Sequence, residues 1–185
     1  MPTSDVSLPL FSFSINVGGP EDNLATFQFS EGRALFWRDG CWGYLNREGF
    51  EALWPLWPHA GRFHEGLAWV LDTLWACIDT SGTWVIRPSF RDDPSHQPTV
   101  CAFSEGRAAV RDYASGEFGY VDRSGTMVIA PRFAVALGFS GGLAAVEVDD
   151  KWGYIDTTGN MVIPAQFLAV GPFKEGLAAV NVEVE

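Results

Sequence analysis

Residues 139–167 read FSGGLAAVEVDDKWGYIDTTGNMVIPAQF. The second part of this stretch, Trp152 to Phe167, recurs upstream without a gap. Its copies begin at Trp42, Trp75 and Phe118 and read WGYLNREGFEALWPLW, WACIDTSGTWVIRPSF and FGYVDRSGTMVIAPRF. The first part recurs at Phe29, Phe63, Phe103, Phe139 and Phe173, in steps of 34 to 40 residues. A period in this range indicates a repeat protein, in which each unit buries its apolar face against its neighbours.

Both parts of the unit have the pattern of β-strands. In the last copy Ala178, Val180 and Val182 occupy every second position, which is the period of a strand. The second part contains a four-residue turn with Asx first and Gly fourth, found at 46–49, 79–82, 122–125 and 156–159. Asx caps such a turn, and Gly supplies the positive φ that closes a hairpin. The unit is therefore predicted to be a three-stranded antiparallel meander, and the chain to be all-β.

The phenylalanines define the domain organisation. Residues 1–28 are predicted to form N-terminal strands or a cap, and residues 173–185 a C-terminal half repeat. Between them lie repeat 1 (29–62), repeat 2 (63–102), repeat 3 (103–138) and repeat 4 (139–172). Repeat 2 includes an inserted loop at 91–98, whose polar and proline-rich composition predicts an exposed position.

Two architectures are compatible with these units. In an open array, the atypical ends of the chain act as caps. In a closed ring, the C-terminal half repeat pairs with the N-terminal segment to form a propeller-like body of about five small blades. Three strands are short for a propeller blade, which favours the open array.

The repeated residues resemble the WG-repeat family, also called KWG repeats, whose hallmarks are FxEGLAxV, WGYID and GxxVIxP. Residues 151–167 fit this pattern closely, and the resemblance extends over residues 29–185. Ala76 and Phe118 depart from it, because they replace the Gly and the Trp of the WG pair. The resemblance implies an open, curved, solenoid-like array and a binding or scaffolding role, chiefly in bacterial proteins. It implies no catalytic residues.

Composition narrows the classes of partner. The formal net charge of −11 argues against nucleic acid, which needs a basic surface, and favours a basic partner. The sequence has neither an apolar run of membrane-spanning length nor a signal-peptide pattern, so no membrane partner is expected. Three cysteines (Cys41, Cys77 and Cys101) lack the spacing of a disulfide framework, and we expect a reduced, cytoplasmic protein.

The residues that could carry chemistry have structural explanations. The histidines and cysteines show no metal-ligand spacing, so no metal, cofactor or catalytic residue is predicted and the protein is not expected to be an enzyme. The Asx residues are explained by their turns, since a calcium site needs several converging carboxylates. The Glu of the FxEG motif (Glu31, Glu65, Glu105 and Glu175) is predicted to accept backbone N–H groups at a bend.

A candidate binding face comes from strand alternation in repeats 1 and 2. After each FxEG motif, one face carries Ala followed by Val or Phe in every copy, which marks it as the core side. The opposite face of these two repeats carries large apolar residues: Leu35, Trp37, Leu67, Trp69 and Leu71. These five are predicted to form an exposed partner-binding face. Coverage of this face by residues 1–28 is the alternative.

These observations predict a non-catalytic β-repeat binding or scaffold protein. It would engage another macromolecule, a protein partner or a second copy of itself, through the Trp/Leu-rich face of repeats 1 and 2. One alternative is an acidic, immunity- or antitoxin-like protein that neutralises a basic toxin. Another is a carbohydrate-binding module, or an enzyme with a site that the sequence does not reveal.

Overall fold

The computed structural model describes residues 28–90, 100–173 and 176–182. The strands are β1 (Ala34–Arg38), β2 (Cys41–Leu45), β3 (Glu51–Trp57), β4 (His59–Ala60), β5 (Leu67–Leu71), β6 (Trp75–Asp79), β7 (Trp84–Phe90), β8 (Arg107–Arg111), β9 (Phe118–Asp122), β10 (Met127–Phe133), β11 (Val135–Ala136), β12 (Leu143–Val148), β13 (Lys151–Asp156), β14 (Met161–Phe167), β15 (Ala169–Val170) and β16 (Val180–Asn181). Within the described ranges, no helix is long and apolar enough to cross a membrane.

These strands form small antiparallel sheets in series. The sheets are β1-β2-β3, β4-β5-β6-β7, β8-β9-β10, β11-β12-β13-β14 and β15-β16. The first three strands of each repeat form the predicted meander, and the short β4 and β11 add a strand from the end of the preceding repeat. In the part of the chain that is described, the first and last sheets do not pair, which confirms an open repeat array. The predictions for residues 1–27 and for the inserted loop 91–98 lie outside the described residues.

Each sheet packs against the sheets before and after it. Ala68 and Val70 of β5 belong to a buried cluster with Tyr44 of repeat 1. The alternate residues Leu67 and Trp69 belong to a second cluster with Ala108 and other residues of repeat 3. A third cluster joins repeats 3 and 4 in the same way. The core is therefore a series of layers between sheets, and the first two strands of repeats 2 and 3 are buried on both faces.

The glycine of the WG pair lies beneath a bulge in the third strand, where only a small residue fits; repeat 2 has Ala76 at this position. Tyr44 pairs with Leu53 and Trp42 pairs with Trp57, so a step of two residues along β2 corresponds to a step of four residues along β3. The same shift occurs in repeats 2, 3 and 4. The extra residues bring the third strand over Gly43, Gly119 and Gly153. A β-carbon there would lie 2.7, 2.5 and 2.6 Å from the nearest third-strand carbonyl oxygen.

The FxEG glutamates connect neighbouring repeats. The Glu65 carboxylate accepts the N–H of Gly106 in the next repeat at 2.9 Å, and Glu31 accepts that of Gly66 at 2.6 Å. Glu105 accepts two N–H groups, from Gly141 at 2.7 Å and Gly142 at 2.9 Å. The prediction that these side chains accept backbone N–H groups is confirmed for the three described glutamates. Their partners lie across the repeat boundary, so each glutamate stabilises the stacking of sheets.

The Asx–Gly turns form as the sequence predicts. In repeat 3 the Asp122 carboxylate accepts the N–H groups of Ser124 and Thr126, at 2.8 and 3.0 Å. The hydroxyl of Ser124 also donates to this carboxylate, and that bond is the main reason why the pKa of Asp122 is lowered. Gly125 closes the turn with a φ of 84°. Because the carboxylate oxygen is committed to its own turn, the turn accounts for the Asp without a metal ion.

Replacing Gly125 with Val is expected to lower the free energy of unfolding by about 1–3 kcal/mol, because a β-branched residue disfavours positive φ. A β-carbon at this position would also lie 2.8 Å from Cγ2 of Ile86 in repeat 2. Gly106 is a matched control, because its φ is 74° but a β-carbon there meets no atom within 4 Å. In urea denaturation, Gly125→Val should lose more stability than Gly106→Val. Equal losses of unfolding free energy in the two variants would show that the contact with Ile86 does not contribute to the destabilisation.

Candidate partner-binding surface

Three of the five residues predicted to bind a partner are in the core. Leu67 and Trp69 are each 4% exposed and Leu71 is 8% exposed. The prediction that these three line an exposed face is therefore wrong. Its premise was that only the Ala/Val face of the first strand is buried. Because sheets stack in series, the opposite face of β5 is covered by repeat 3.

The core has room for the large Trp69 side chain because its cross-strand neighbour is small. Trp69 pairs with Cys77, whereas repeats 3 and 4 pair Ala109 with Tyr120 and Ala145 with Tyr154. The Tyr120 hydroxyl donates to the carbonyl of Leu137 at 2.8 Å. In repeat 2 the indole N–H of Trp69 instead donates to the Cys101 carbonyl, at 2.9 Å and at the same place in the repeat.

The Trp69 ring also takes over the aromatic contact of the missing tyrosine. It stacks on Phe103, the first residue of repeat 3, with ring centroids 5.6 Å apart. The tyrosines of repeats 1, 3 and 4 make the corresponding contact with Phe63, Phe139 and Phe173. Trp69 therefore occupies a position between repeats that a tyrosine fills elsewhere, and its size is explained by packing.

The other two predicted residues lie in β1. Leu35 is partly buried against the cluster that contains Tyr44 and Trp57. Trp37 is partly exposed and pairs with Trp42 next to the turn between β1 and β2. These two side chains therefore do not lie on one exposed face with Leu67, Trp69 and Leu71. Whether Leu35 or Trp37 contacts a partner stays a prediction.

The largest exposed apolar side chains of repeat 1 lie in and next to its third strand. Phe50 and Trp54 are each 69% exposed, and Leu56 is 68% exposed. We refer to these three residues as the repeat-1 apolar cluster. Trp54 and Leu56 are two residues apart in β3, which is the spacing of neighbours on one side of a strand. β3 is the edge strand of its sheet, so this cluster lies at the border of the array.

A comparison of equivalent positions shows that the fold does not require these three side chains. The equivalents are Thr83, Thr126 and Asn160 for Phe50; Arg87, Ala130 and Pro164 for Trp54; and Ser89, Arg132 and Gln166 for Leu56. The later repeats form the same hairpin with small or polar residues at these positions. The cluster is therefore specific to repeat 1. Aligning the four copies column by column is the sequence signal that identifies it.

Repeats 2 to 4 have a second set of exposed apolar residues, at the start of each third strand. It consists of Trp84 and Val85, Met127 and Val128, and Met161 and Val162. Because the sheets are stacked in series, equivalent positions form a row along the array. The third strands of all four repeats therefore carry exposed apolar residues, and those of repeat 1 are the most exposed.

Proline limits how a partner could use this edge. Pro55 in β3 and Pro131 in β10 lie in the middle of their strands. Proline has no N–H to donate, and its presence on an edge strand discourages the addition of another strand. Recognition at this edge would therefore depend on side chains, and the repeat-1 apolar cluster supplies the largest apolar ones.

In repeats 1 and 2, one ion pair and two thiols are explained by the fold. Arg38 makes a bidentate ion pair with Glu51, the first residue of β3. Burial raises the pKa of the Cys77 thiol to about 12 and also raises that of Cys101, so both remain protonated at neutral pH. Within the described ranges, no group of three His, Cys, Asp or Glu residues is placed to hold a metal ion. What this edge offers is apolar contact area.

Comparison with known proteins identifies the repeat. A family model described as "WG containing repeat" matches residues 42–72, 118–152 and 152–183. A search of curated proteins finds no match to the chain. The unmatched stretch 73–117 contains the repeat in which Ala76 and Cys77 replace the usual Gly and Tyr. Because the matched segments cover more than half of the 185 residues and coincide with the stacked hairpins described above, the chain belongs to the WG-containing-repeat family.

Proposed function

We propose that the protein is a non-catalytic, cytoplasmic binding or scaffold protein that contacts a protein partner through the repeat-1 apolar cluster. The observation that carries this proposal is the exposure of Phe50, Trp54 and Leu56, each about two-thirds exposed, at positions where the other repeats have small or polar residues. Three large apolar side chains that the fold does not require need another explanation, and a binding surface provides one.

The type of side chain supports a protein partner. Tryptophan is enriched among the residues that dominate protein–protein binding energies, and such residues are surrounded by contacts that exclude water. Trp54 and Leu56 lie in β3, and the Arg38–Glu51 ion pair lies at the start of the same strand. Exposed aromatic and apolar residues together with charged ones are typical of protein interfaces.

The charge of the chain favours a basic partner. At a formal net charge of −11, the protein would attract a basic protein over long range and increase the rate of association. An immunity- or antitoxin-like role against a basic toxin is the narrower form of this proposal. It predicts that association slows strongly as salt is raised, whereas binding that depends on the cluster alone would be less sensitive.

The test is a variant in which repeat 1 takes the residues of repeat 2: Phe50→Thr, Trp54→Arg and Leu56→Ser. Because repeat 2 folds with these residues, the free energy of unfolding should change by no more than about 1 kcal/mol. Proteins that co-purify with the wild-type chain from cells that produce it should no longer co-purify with this variant. Truncating one interface tryptophan alone typically costs about 2–4 kcal/mol of binding.

The matched control is Met127→Gln with Val128→Thr, which removes exposed apolar groups from repeat 3. This control should retain the partner. Recovery of the same proteins by all three chains would contradict the proposal. Binding of the wild type to a glycan panel, with loss in the swapped variant, would instead support a carbohydrate-binding module.

A further inference from the structure

At the other end of the described array, β16 pairs with a described strand on one edge alone. β16 pairs with β15 through Val170 opposite Val180 and Ala169 opposite Asn181. The carbonyls of Ala179 and Asn181 accept N–H groups from the β15 side, at 2.8 Å each. Backbone groups alternate sides along a strand, so the N–H and C=O of Val180 point to the opposite edge. Among the described residues, no strand pairs with that edge.

The side chains of β16 show that this edge differs from its equivalents. Val180 is 43% exposed, whereas Val70, Val110 and Val146 at the same position are 0% exposed. Those three valines belong to first strands that pair with the second strand of their own repeat, β6, β9 or β13. This second strand carries the WG pair or its replacement, and we call it the Trp-Gly strand. Val180, whose equivalents are core residues, is therefore exposed here, beside backbone groups that no described strand pairs with.

We propose that the open edge of β16 binds an antiparallel strand of the Trp-Gly type supplied by another polypeptide. This surface is separate from the repeat-1 apolar cluster and does not depend on the function proposed for it. Such strand addition uses backbone hydrogen bonds for affinity and alternate side chains for specificity.

The complete repeats define the chemistry of the strand that would fit. Opposite the valine they place Gly or Ala, as in Val110 with Gly119 and Val146 with Gly153. Opposite the preceding alanine, repeats 3 and 4 place Tyr. By the same register, β16 would take Gly opposite Val180 and Tyr opposite Ala179, followed by a branched aliphatic residue opposite Ala178.

A contact beyond the strand favours a hairpin over a single strand. The turn glycines Gly82, Gly125 and Gly159 pack on the third-strand residues Leu53, Ile86 and Ile129 of the preceding repeat. Ile163 occupies the equivalent position in repeat 4, and among the described residues no turn packs against it. The turn of an added Trp-Gly hairpin would reach this side chain.

The described strands of a second copy of this chain are poor donors of that hairpin. Its described Trp-Gly strands β2, β6, β9 and β13 are each paired on both edges within their own sheets. A free segment of the same pattern is the better fit. We therefore choose as probe a synthetic peptide with the sequence of residues 151–167, KWGYIDTTGNMVIPAQF, with blocked ends.

Hydrogen exchange measured by NMR on the whole protein tests the proposal directly. Addition of the peptide should slow exchange of the Val180 amide by about tenfold or more, which corresponds to roughly 1.4 kcal/mol of protection. A peptide carrying Gly153→Val should not do so, because a β-carbon at this glycine lies 2.6 Å from the Ile163 carbonyl oxygen and the branched side chain adds further atoms where the other repeats hold no residue larger than alanine. Equal protection by both peptides, or no protection by either at millimolar concentration, would overturn the proposal.

A protein variant separates backbone pairing from adhesion to exposed apolar side chains. Val180→Pro removes the outward N–H and should weaken peptide binding by about tenfold or more. The amides of Leu168 and Gly171, which bond to β16, should keep their protection and report that β15–β16 remains formed. Leu177→Ser changes an exposed side chain of the same segment and should bind the peptide like the wild type.

Loss of binding in Leu177→Ser but not in Val180→Pro would indicate non-specific adhesion and overturn the proposal. Sedimentation of the protein alone provides a further check. If the protein alone forms a dimer and Val180→Pro dissociates it, a second copy of the chain binds this edge. That result would also contradict the proposal that a Trp-Gly strand binds there.

Discussion

Trp69→Ala is expected to lower the free energy of unfolding by about 3–5 kcal/mol, the range for removing a buried aromatic side chain. The ring is 4% exposed and stacks on Phe103, and its indole N–H donates to the carbonyl of Cys101. The substitution leaves a cavity between repeats 2 and 3 and an unpaired carbonyl. Urea denaturation of the variant, with circular dichroism at 218 nm as the signal, measures the loss.

Cys77 provides the control for this prediction. Cys77→Tyr alone should also destabilise, by about 1–3 kcal/mol, because a large ring is added to a filled site. The double variant Trp69→Ala with Cys77→Tyr recreates the Ala–Tyr pair of repeats 3 and 4. We expect it to lose less stability than the sum of the two single losses, with a coupling energy of about 2–3 kcal/mol.

The same experiment separates a core role from a partner-binding role. A surface tryptophan without a partner contributes little, within about 0.5 kcal/mol of stability. If Trp69→Ala changed stability by only that amount, the burial of Trp69 between repeats would be contradicted. Additive effects in the double variant would show that the size of the side chain at position 69 is not coupled to the size of the side chain at position 77.

The second large effect is expected from Gly119→Val, which should cost about 3 kcal/mol or more, at the upper end for adding atoms to a packed core. A β-carbon on Gly119 would lie 2.5 Å from the Ile129 carbonyl oxygen and 2.8 Å from the nitrogen of Pro131. Both are backbone atoms, so no side-chain rotation relieves the contact. The bulge of β10 would have to move away from β9, which breaks their pairing.

Gly138→Val is the matched control for Gly119→Val. A β-carbon on Gly138 would approach only Cβ of Ser104, at 3.7 Å, an ordinary van der Waals distance. Its effect should stay within about 1 kcal/mol. Thermal denaturation of both variants measures the difference. Similar melting temperatures would contradict the close approach over the Trp-Gly glycine.

The sequence alone was sufficient to predict the local structure of the repeat. Asx and Gly at the ends of a four-residue turn have a strong conformational preference, which explains why the hairpins at Asp122–Gly125 and its equivalents were predicted correctly. The period between phenylalanines similarly predicted a series of small sheets, and the family resemblance and the three strands of each unit favoured an open array over a closed ring. The role of Glu105 was predicted in kind, since a carboxylate at a bend is expected to accept N–H groups, but its partners in the next repeat were not.

Tertiary structure decided which side chains are exposed. Strand alternation separates two faces of a strand, but it does not show whether one or both are covered, and stacking covers both faces of β5. Trp69 was therefore misplaced, and the structure showed that Trp54 is exposed. The open edge of β16 likewise depends on pairing between distant residues. Short-range preferences determine turns and strands, whereas burial results from long-range packing between repeats.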